Sequence, residues 1–339
     1  MGGQTRMKRL GIIGTGLIAH TNVRALQALD RVQIVALCNR TEQKARDFAA
    51  EFSLAVPVYT DYREMIENEK LDMVLINTPH AQHAQQFIDC ARRGLDILIE
   101  KPLGTTAEEC EQMCQARKSA GVRAAVCHTQ RYLPPMLLAR KVCAERREEL
   151  GALKHISDTI NLYYFHDQRP KWFFDPAQAG GGMLLTHGAH QLDRVHLLCG
   201  HASERIFAHF ESLPQYPGLD SGYQIMGQAG ETSYCVTCAG YPSPHTSDIQ
   251  LDFERGSLHI AQFANGVEEA GVWLGDQNGY RLLENPFADA DAYQEQFAAL
   301  LDALEGKPSD APTLEEATAV LRALDAAKRS AASGTVENI

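Results

Sequence analysis

The segment Leu10-Gly11-Ile12-Ile13-Gly14-Thr15-Gly16-Leu17-Ile18-Ala19 decides the fold of this chain. Its apolar start indicates a strand, and the glycines that follow fit G-x-G-x-x-A immediately before a predicted helix at 17–29. Gly14 permits a tight turn, Gly16 lets the backbone approach a pyrophosphate, and Ala19 allows close packing of helix on strand. The helix start directs N–H groups at such phosphates. The alternative is a plain glycine turn. The segment predicts a dinucleotide-binding loop formed by Gly14, Gly16, Leu17, Ile18 and Ala19.

The first half of the chain alternates short apolar runs with amphipathic stretches. This alternation is typical of βαβ units, in which a parallel sheet carries helices on both faces. We therefore predict an α/β Rossmann domain over residues 1–130. Its predicted strands are Leu10–Ile13, Gln33–Cys38, Met73–Ile76, Leu95–Ile99 and Ala124–Cys127, and its predicted helices are 17–29, 41–52, 81–93 and 106–119.

The pattern changes after about residue 130. Strand-like segments rich in Ile, Tyr, Val and Phe follow, with one predicted helix at 182–199 and two more at the end of the chain. We predict that residues 131–339 form an α+β domain with an open, mostly antiparallel sheet. Its predicted strands are Ile156–Phe165, Ser233–Cys238, Ile249–Phe253 and Leu258–Phe263.

Composition narrows the class of protein. The 339 residues include 32 Lys and Arg against 43 Asp and Glu, which gives a formal net charge of −11. This balance argues against a nucleic-acid binder, which needs clustered basic charge. No apolar run approaches the ~18 residues of a membrane span, and the N-terminal residues lack the apolar core of a signal peptide. Nine scattered cysteines favour reduced thiols in a cytoplasmic protein.

The end of the second predicted strand bears on the choice of cofactor. A residue about 20 positions beyond the glycine loop reads the ribose, and an acid there binds the 2′-OH of NAD. Here that position is Asn39, followed by Arg40. A neutral amide does not repel a 2′-phosphate, and a guanidinium can pair with one and stack on adenine. We expect NAD(P) with a preference for NADP. The alternative for Arg40 is a solvated surface charge.

Three further motifs follow predicted strands or surround the helix predicted at 182–199. They are Asn77-Thr78-Pro79-His80-Ala81-Gln82-His83, Glu100-Lys101-Pro102, and Gly180-Gly181-Gly182 followed by Gly188-Ala189-His190-Gln191-Leu192-Asp193. With the glycine loop, this set resembles the Gfo/Idh/MocA family of NAD(P)-dependent oxidoreductases, which includes inositol dehydrogenases and glucose–fructose oxidoreductase. The resemblance extends over nearly the whole chain and is weaker between about 200 and 285.

The resemblance implies a catalytic lysine at Lys101, whose bond to Pro102 is often cis in the family. Ligands of open α/β sheets lie at the carboxyl ends of the strands, so the loops at Gly14, Thr78 and Lys101 should converge. A lysine there can act as a general base, because burial and a cationic nicotinamide ring favour the neutral amine. We expect five other residues near the cofactor. For His83, Glu100 and Arg131 a structural role is the alternative, and Arg131 could also bind substrate. The five residues are Thr78, Pro79, His83, Glu100 and Arg131.

His190 is implied as a second proton-handling residue on the substrate side. Many family members carry Asp four residues earlier, but this chain has Thr186 there, and a hydroxyl cannot serve as a carboxylate base. His187 is a candidate substitute. Asp193 lies one helical turn after His190 and could orient it or bind a substrate hydroxyl. The same residues could be read as metal ligands, but we expect no metal, because the family motif explains the spacing and no cysteine lies nearby.

Aromatic and basic residues between 163 and 172 are candidate substrate contacts. Aromatic rings can stack on the apolar face of a sugar or ring acid, and Arg169 with Lys171 would suit a carboxylate or sulfonate. The alternative is that the alternating aromatic residues of a strand belong largely to the core. The candidates are Tyr163, Arg169 and Trp172.

These features predict an enzyme that transfers a hydride between a nicotinamide cofactor and a secondary alcohol or ketone of a sugar, cyclitol or related ring. Lys101 would act as acid/base together with His190. The alternatives are a redox-neutral glycosidase of the same fold with tightly held NAD, and a non-catalytic sugar- or nucleotide-sensing regulator. Because the family often packs this second sheet against another subunit, we expect a homodimer or homotetramer. Residues 131–339 would then serve substrate binding and oligomerisation.

Overall fold

A computed structural model of the chain describes residues 6–263 and 269–339 and divides it into two compact units. The first unit comprises Met1–Gly104, Glu108–Cys127 and Tyr293–Glu315, and the second comprises Thr105–Ala107, His128–Ala292 and Glu316–Ile339. Each unit is therefore assembled from three separate parts of the chain. Within the described residues, no helix is both long and apolar enough to cross a membrane.

The helices and strands follow the predicted rhythm closely in the first part of the chain. The strands are β1 Lys8–Ile13, β2 Val32–Cys38, β3 Val58–Tyr59, β4 Met73–Ile76, β5 Asp96–Glu100, β6 Ala124–Cys127, β7 Leu153–Asn161, β8 Arg205–Ser212, β9 Asp220–Ala229, β10 Thr232–Ala239, β11 Thr246–Phe253, β12 Gly256–Ala261, β13 Gly271–Asp276, β14 Gly279–Leu282 and β15 Glu337–Asn338. The helices are α1 Leu17–Leu29, α2 Glu42–Glu51, α3 Tyr62–Asn68, α4 His83–Arg92, α5 Ala107–Ala120, α6 Pro134–Glu145, α7 Arg147–Leu150, α8 Pro176–Ala179, α9 Ala189–Cys199, α10 Ala292–Glu305 and α11 Leu314–Ser333.

The sheet of the first unit is parallel throughout its described strands, in the order β3-β2-β1-β4-β5-β6. The chain builds outwards from β1 in one direction to β3, and then from β4 in the other direction to β6. The direction of winding reverses between β1 and β4. In sheets of this kind the ligand crevice lies at the carboxyl ends of the strands at that reversal. The predicted α/β Rossmann fold is confirmed.

Helix α10 completes the core of the first unit. Its buried apolar side chains pack in one cluster with Leu10 and Ile12 of β1. Arg31, just before β2, pairs with Asp302 and Glu305 of α10 at 2.8 Å each. The sequence placed everything beyond residue 130 in the second domain, whereas residues 293–315 group with the first unit because this apolar face covers its sheet. The cluster residues from α10 are Phe297, Leu300, Leu301 and Leu304.

The sheet of the second unit contains nine strands among the described residues, in the order β14-β13-β12-β11-β7-β10-β9-β8-β15. Neighbouring strands are antiparallel except for β7 and β10, which pair in parallel with Ile156 opposite Tyr234. The mostly antiparallel sheet predicted from the sequence is confirmed.

A π-helical turn at Leu184–Gly188 leads directly into α9. Gln191 of α9 donates to the carbonyl oxygens of Asp158 and Thr237 at 2.9 and 3.0 Å, and the Arg194 guanidinium pairs with the Asp158 carboxylate at 2.6 Å. These bonds fasten the helix to β7 and β10. π-helical turns are rare and often mark functional sites, and this one holds the predicted site residue His187.

Candidate active site

The glycine loop connects the end of β1 to the start of α1. Gly14 has a φ of +94°, and a Cβ there would lie 2.9 Å from the backbone carbonyl atoms of Asn77. Any larger residue would therefore suffer both strain and a clash. Gly16, the N-cap of α1, would place a Cβ with no heavy atom within 4 Å apart from its chain neighbours. Open space over this backbone fits the close approach of a pyrophosphate.

The start of α1 also fits an anion. The Thr15 hydroxyl oxygen is buried and has no hydrogen-bond partner among the described residues, so a phosphate oxygen would satisfy a donor that is otherwise unused. The first turn of α1 contains no acidic residue that would offset the helix dipole. Leu17 is 69% exposed, Ile18 is half-buried and Ala19 is fully buried against the strand. The loop therefore has the shape and polarity that a dinucleotide requires.

The end of β2 presents Asn39 and Arg40. The Asn39 side-chain amide donates to the Thr41 carbonyl oxygen at 3.0 Å, and its oxygen lies 3.5 Å from the Thr15 backbone nitrogen. Asn39 thus contacts the glycine loop itself. Arg40 is exposed, and within residues 6–263 and 269–339 no carboxylate pairs with it. The guanidinium is therefore available to an anion.

The lysine motif lies at the end of β5. Lys101 is half-buried, its bond to Pro102 is cis, and the preceding Glu100 is buried. The Asn22 amide of α1 donates to Glu100 Oε1 at 2.9 Å and to Asn77 Oδ1 at 3.0 Å, while the Lys101 N–H lies 3.2 Å from Glu100 Oε2. Burial raises the pKa of Glu100, and the bond from Asn22 and the charge of Lys101 oppose that rise. Glu100 therefore ties the helix of the glycine loop to the lysine.

His83 joins two of the predicted loops. Its ring is fully buried, with Nε2 2.9 Å from the Thr78 carbonyl oxygen and Nδ1 2.9 Å from the Pro102 carbonyl oxygen. Burial lowers the pKa of His83, although its backbone partners oppose the shift. The Thr78 hydroxyl donates to Gln86 at 2.6 Å, and Pro79 beside it is half-buried. The structure thus brings together the predicted residues of the first unit at the carboxyl ends of β1, β4 and β5.

In the second unit, His190 is buried near the start of α9, just after the π-helical turn that holds Thr186 and His187. Its ring centroid lies 6.1 Å from that of His128, and the two rings are nearly perpendicular. Sequence reasoning missed His128. The signal was its position in the chain directly after β6.

Asp193 is held by a guanidinium. Arg131 donates to both carboxylate oxygens of Asp193 at 2.6 and 2.8 Å, and His128 Nδ1 lies 3.6 Å from Asp193 Oδ2. Burial alone would raise the pKa of Asp193, but the electrostatic effects of His128 and Arg131 lower it below its usual range. The sequence predicted Arg131 near the cofactor and Asp193 as a partner of His190. The buried pair favours the structural alternative for Arg131, and it places Asp193 against His128.

The predicted substrate contacts lie on the segment after β7. Tyr163 is 48% exposed, whereas Tyr164 is buried and its hydroxyl accepts from Thr186 Oγ1 at 3.2 Å. The His187 ring lies 5.6 Å from that of Tyr164. Trp172 is half-buried and stacks on Phe173 at 3.8 Å. This segment therefore contacts the π-helical turn that contains His187.

No group of three His, Cys, Asp or Glu side chains in the described residues is arranged to hold a metal ion.

A parallel sheet with this glycine loop has the features of a dinucleotide-binding fold. Residues 8–128 match the oxidoreductase family with an NAD-binding Rossmann fold, and residues 138–259 match the GFO/IDH/MocA C-terminal domain. The chain therefore belongs to the Gfo/Idh/MocA family and is an NAD(P)-dependent dehydrogenase.

Two curated relatives and one solved structure illustrate what this chain is similar to. D-xylose 1-dehydrogenase (NADP(+)) 2 of Haloferax volcanii is 26% identical over 96% of this chain and 97% of its own length. Trans-1,2-dihydrobenzene-1,2-diol dehydrogenase of Sus scrofa is 28% identical over 68% of this chain and 71% of its own. Levoglucosan dehydrogenase in complex with NADH shares the fold with a TM-score of 0.88, at 19% identity and with 98% and 99% of the two chains covered.

Proposed function

We propose that the enzyme transfers a hydride between NAD(P) and a secondary alcohol or ketone of a sugar, cyclitol or related ring, with Lys101 as acid/base and His190 as the second proton-handling residue. The observation that carries the proposal is the position of Lys101 at the end of β5, linked through Glu100 and Asn22 to the glycine-loop helix. The similarity to a xylose dehydrogenase and a dihydrodiol dehydrogenase supports hydroxyl groups of a sugar or ring as the substrate.

Bound NAD(P) would supply the hydride acceptor or donor. The glycine loop, Thr78 and Pro79 would hold it, and Lys101 would take the proton of the substrate hydroxyl during oxidation and return it during reduction. Glu100 and His83 would act as positioning residues, because they tie the lysine motif to α1 and to the Thr78 loop. His190 would relay or orient the same proton.

The test replaces Lys101 by Ala and His190 by Asn and measures turnover and NADPH binding in each. We expect kcat to fall by about 10²- to 10⁴-fold in Lys101→Ala, with the Kd for NADPH nearly unchanged. Because the two residues act on one proton, the double variant should lose less than the product of the single losses. Lys44→Ala, an exposed residue of α2, is the control. Full turnover by Lys101→Ala would exclude it as the acid/base.

We propose further that the enzyme prefers NADP. Asn39 places no negative charge at the ribose position, and Arg40 is exposed with no carboxylate pairing among the described residues. Arg40→Gln should weaken NADPH binding by about 10-fold or more and leave NADH binding unchanged, measured by cofactor fluorescence. Arg46→Gln, an exposed arginine of the neighbouring helix paired with Glu42, is the matched control. Tightly co-purifying NAD would instead favour the redox-neutral glycosidase.

We propose a homodimer or homotetramer in the cytoplasm. Phe207, Met226 and Leu282 lie on one face of the second sheet, since cross-strand pairs place them in a single row, and all three are at least 36% exposed. Light scattering of wild type and Met226→Asp tests the association, and a monomeric wild type would refute it. The cytoplasm fits the nine cysteines, which form no disulfide and all lie in the described part of the chain.

A further inference from the structure

Arg169 differs from the two buried arginines of its unit, Arg131 and Arg194. Arg131 and Arg194 each grip a buried aspartate. The Arg169 guanidinium is half-buried, yet no carboxylate of residues 6–263 or 269–339 lies within ion-pair distance of it. Burial lowers the pKa of Arg169, with only the Tyr164 hydroxyl opposing the shift. A partly desolvated cation without a counter-ion is costly unless a ligand supplies the charge.

The guanidinium is held in a fixed orientation. Its carbon lies 3.9 Å from the centre of the Tyr164 ring and 4.9 Å from that of Phe173, and Nε donates to the Tyr164 carbonyl oxygen at 3.0 Å. These contacts use Nε and the planar faces of the group. The two terminal nitrogens remain, and they are the pair that binds a carboxylate through two parallel hydrogen bonds.

The acidic groups near Arg169 are exposed or hydrogen-bonded elsewhere. Lys171 is exposed beside it, and Thr186, bonded to the same Tyr164, contributes no charge. The half-buried Asp220 uses its two oxygens to accept from the backbone N–H groups of Gly182 and Leu184 at 2.9 and 2.6 Å. Asp167 is exposed and forms no ion pair among the described residues. The site is therefore suited to an anion.

Tyr164 contacts both Arg169 and the π-helical turn that precedes His190. One side of the residue stacks on Arg169, its hydroxyl accepts from Thr186, and its ring lies 5.6 Å from His187. An anionic group on Arg169 would therefore orient a substrate on the wall that continues to the π-helical turn before His190.

We propose that the substrate carries a carboxylate, which Arg169 binds through its two terminal nitrogens. The substrate class is then a hydroxylated ring or sugar acid, such as a uronic acid or a cyclitol carboxylate. This inference rests on the proposed dehydrogenase function and specifies its substrate. Trp172, stacked on Phe173 beside the guanidinium, would offer an apolar surface to the ring of that acid.

The test compares matched acid and neutral substrates with NAD and NADP. D-glucuronate is set against D-glucose, and quinate against myo-inositol. Wild type should favour the acid of a pair by about 10-fold or more in kcat/KM. Arg169→Gln should raise KM for the acid by about 10- to 100-fold, change kcat little and leave the neutral partner unaffected. Arg169→Lys keeps the positive charge but loses the pair of terminal nitrogens, so its KM for the acid should lie between those of wild type and Arg169→Gln. Arg147→Gln, exposed on α7, is the control.

Binding measurements separate failure of this inference from failure of the proposed function. Calorimetry with D-glucuronate and quinate is run on the enzyme saturated with NADPH. Acid binding that Arg169→Gln abolishes, without turnover of any alcohol, upholds the anion site and refutes the dehydrogenase proposal for these rings. Turnover of the neutral sugars with no preference for acids, or equal losses for both in Arg169→Gln, overturns the inference and leaves the dehydrogenase standing. A melting temperature unchanged in Arg169→Lys shows that folding is not the cause.

Discussion

In the first unit Glu100 is buried among amides, whereas in the second unit Asp193 is buried on a guanidinium. Burial raises the pKa of Glu100, and the amide of Asn22 with the charge of Lys101 only partly offsets that rise. At Asp193 the same effect of burial is overcome by His128 and Arg131, so its pKa falls. These two buried carboxyl groups thus differ in the charge of their neighbours.

The comparison teaches that burial alone does not fix the charge of a site residue. A carboxyl that receives only neutral hydrogen bonds and one nearby amine is driven towards its neutral form, and one that receives a bidentate guanidinium is held ionised. In the first unit a neutral hydrogen bond from Asn22 therefore ties Glu100 to α1. In the second unit an ion pair with Arg131 anchors α9 through Asp193. The same substitution, carboxyl to amide, should act differently at the two places.

The largest effect is expected from Asp193→Asn. It takes from the Arg131 guanidinium, which is 3% exposed, its bidentate partner and leaves the half-exposed Glu316 at 3.4 Å. Loss of one partner of a buried ion pair costs about 3 to 5 kcal/mol. We expect a clear fall in the melting temperature at neutral pH, measured by calorimetry. Asp167→Asn, the same change at an exposed aspartate, should have no effect. A variant as stable as wild type would show that the pair contributes nothing net.

A medium effect is expected from Asn22→Ala. The change removes the donor to Glu100 and to Asn77, so a buried carboxyl oxygen loses its partner at a cost of about 1 to 3 kcal/mol. The pKa of Glu100 should rise further, because the bond from Asn22 is one of the effects that lower it. Infrared titration of the Glu100 carboxyl tests this. Gln27→Ala, on the same helix, is the control, and an unchanged titration would refute the link.

The smallest effect is expected from Glu100→Gln, and its sign should depend on pH. The folded-state pKa of Glu100 is raised above its ordinary value of 4.5, so the stability that it contributes is full below 4.5 and is lost as pH rises through the folded pKa. Gln does not titrate. The variant should be less stable by about 1 kcal/mol near pH 4.5, and the gap should close or reverse towards pH 8.

Melting curves of Glu100→Gln and wild type between pH 4.5 and 8 measure that gap. Glu42→Gln on the exposed end of α2 is the control, and its difference from wild type should not follow this course. A gap that widens with pH would mean that Glu100 is held ionised like Asp193, and the contrast between the two units would disappear.

The first unit was the more predictable one because its signals are local. Strand β4 was predicted to the residue, since an apolar run of four lies between charged and turn residues. The glycine loop and the lysine motif fix strand ends by the same short-range logic. Asn22 was missed because its partners lie 55 and 78 residues away, and no local pattern links an amide to them.

In the second unit the decisive contacts are non-local. Helical spacing placed Asp193 on the face of His190, but Arg131, 62 positions earlier, takes its carboxylate. The parallel pairing of β7 with β10 joins strands that are far apart in the chain, and alternation of side chains does not specify a partner. The same limit applies to α10, whose apolar stripe predicts a buried face without saying which sheet it covers.

The position of α10 has a consequence for the newly made protein. When a ribosome has translated β6, every strand of the parallel sheet exists, but the helix that covers part of it is still ~180 residues from complete. At ordinary rates of synthesis that interval lasts roughly 10 to 35 s. The apolar surface that Phe297, Leu300 and Leu301 later cover stays open to water or to a chaperone for that time. The nascent Rossmann sheet can therefore be covered by α10 only after residue 305 has been synthesised.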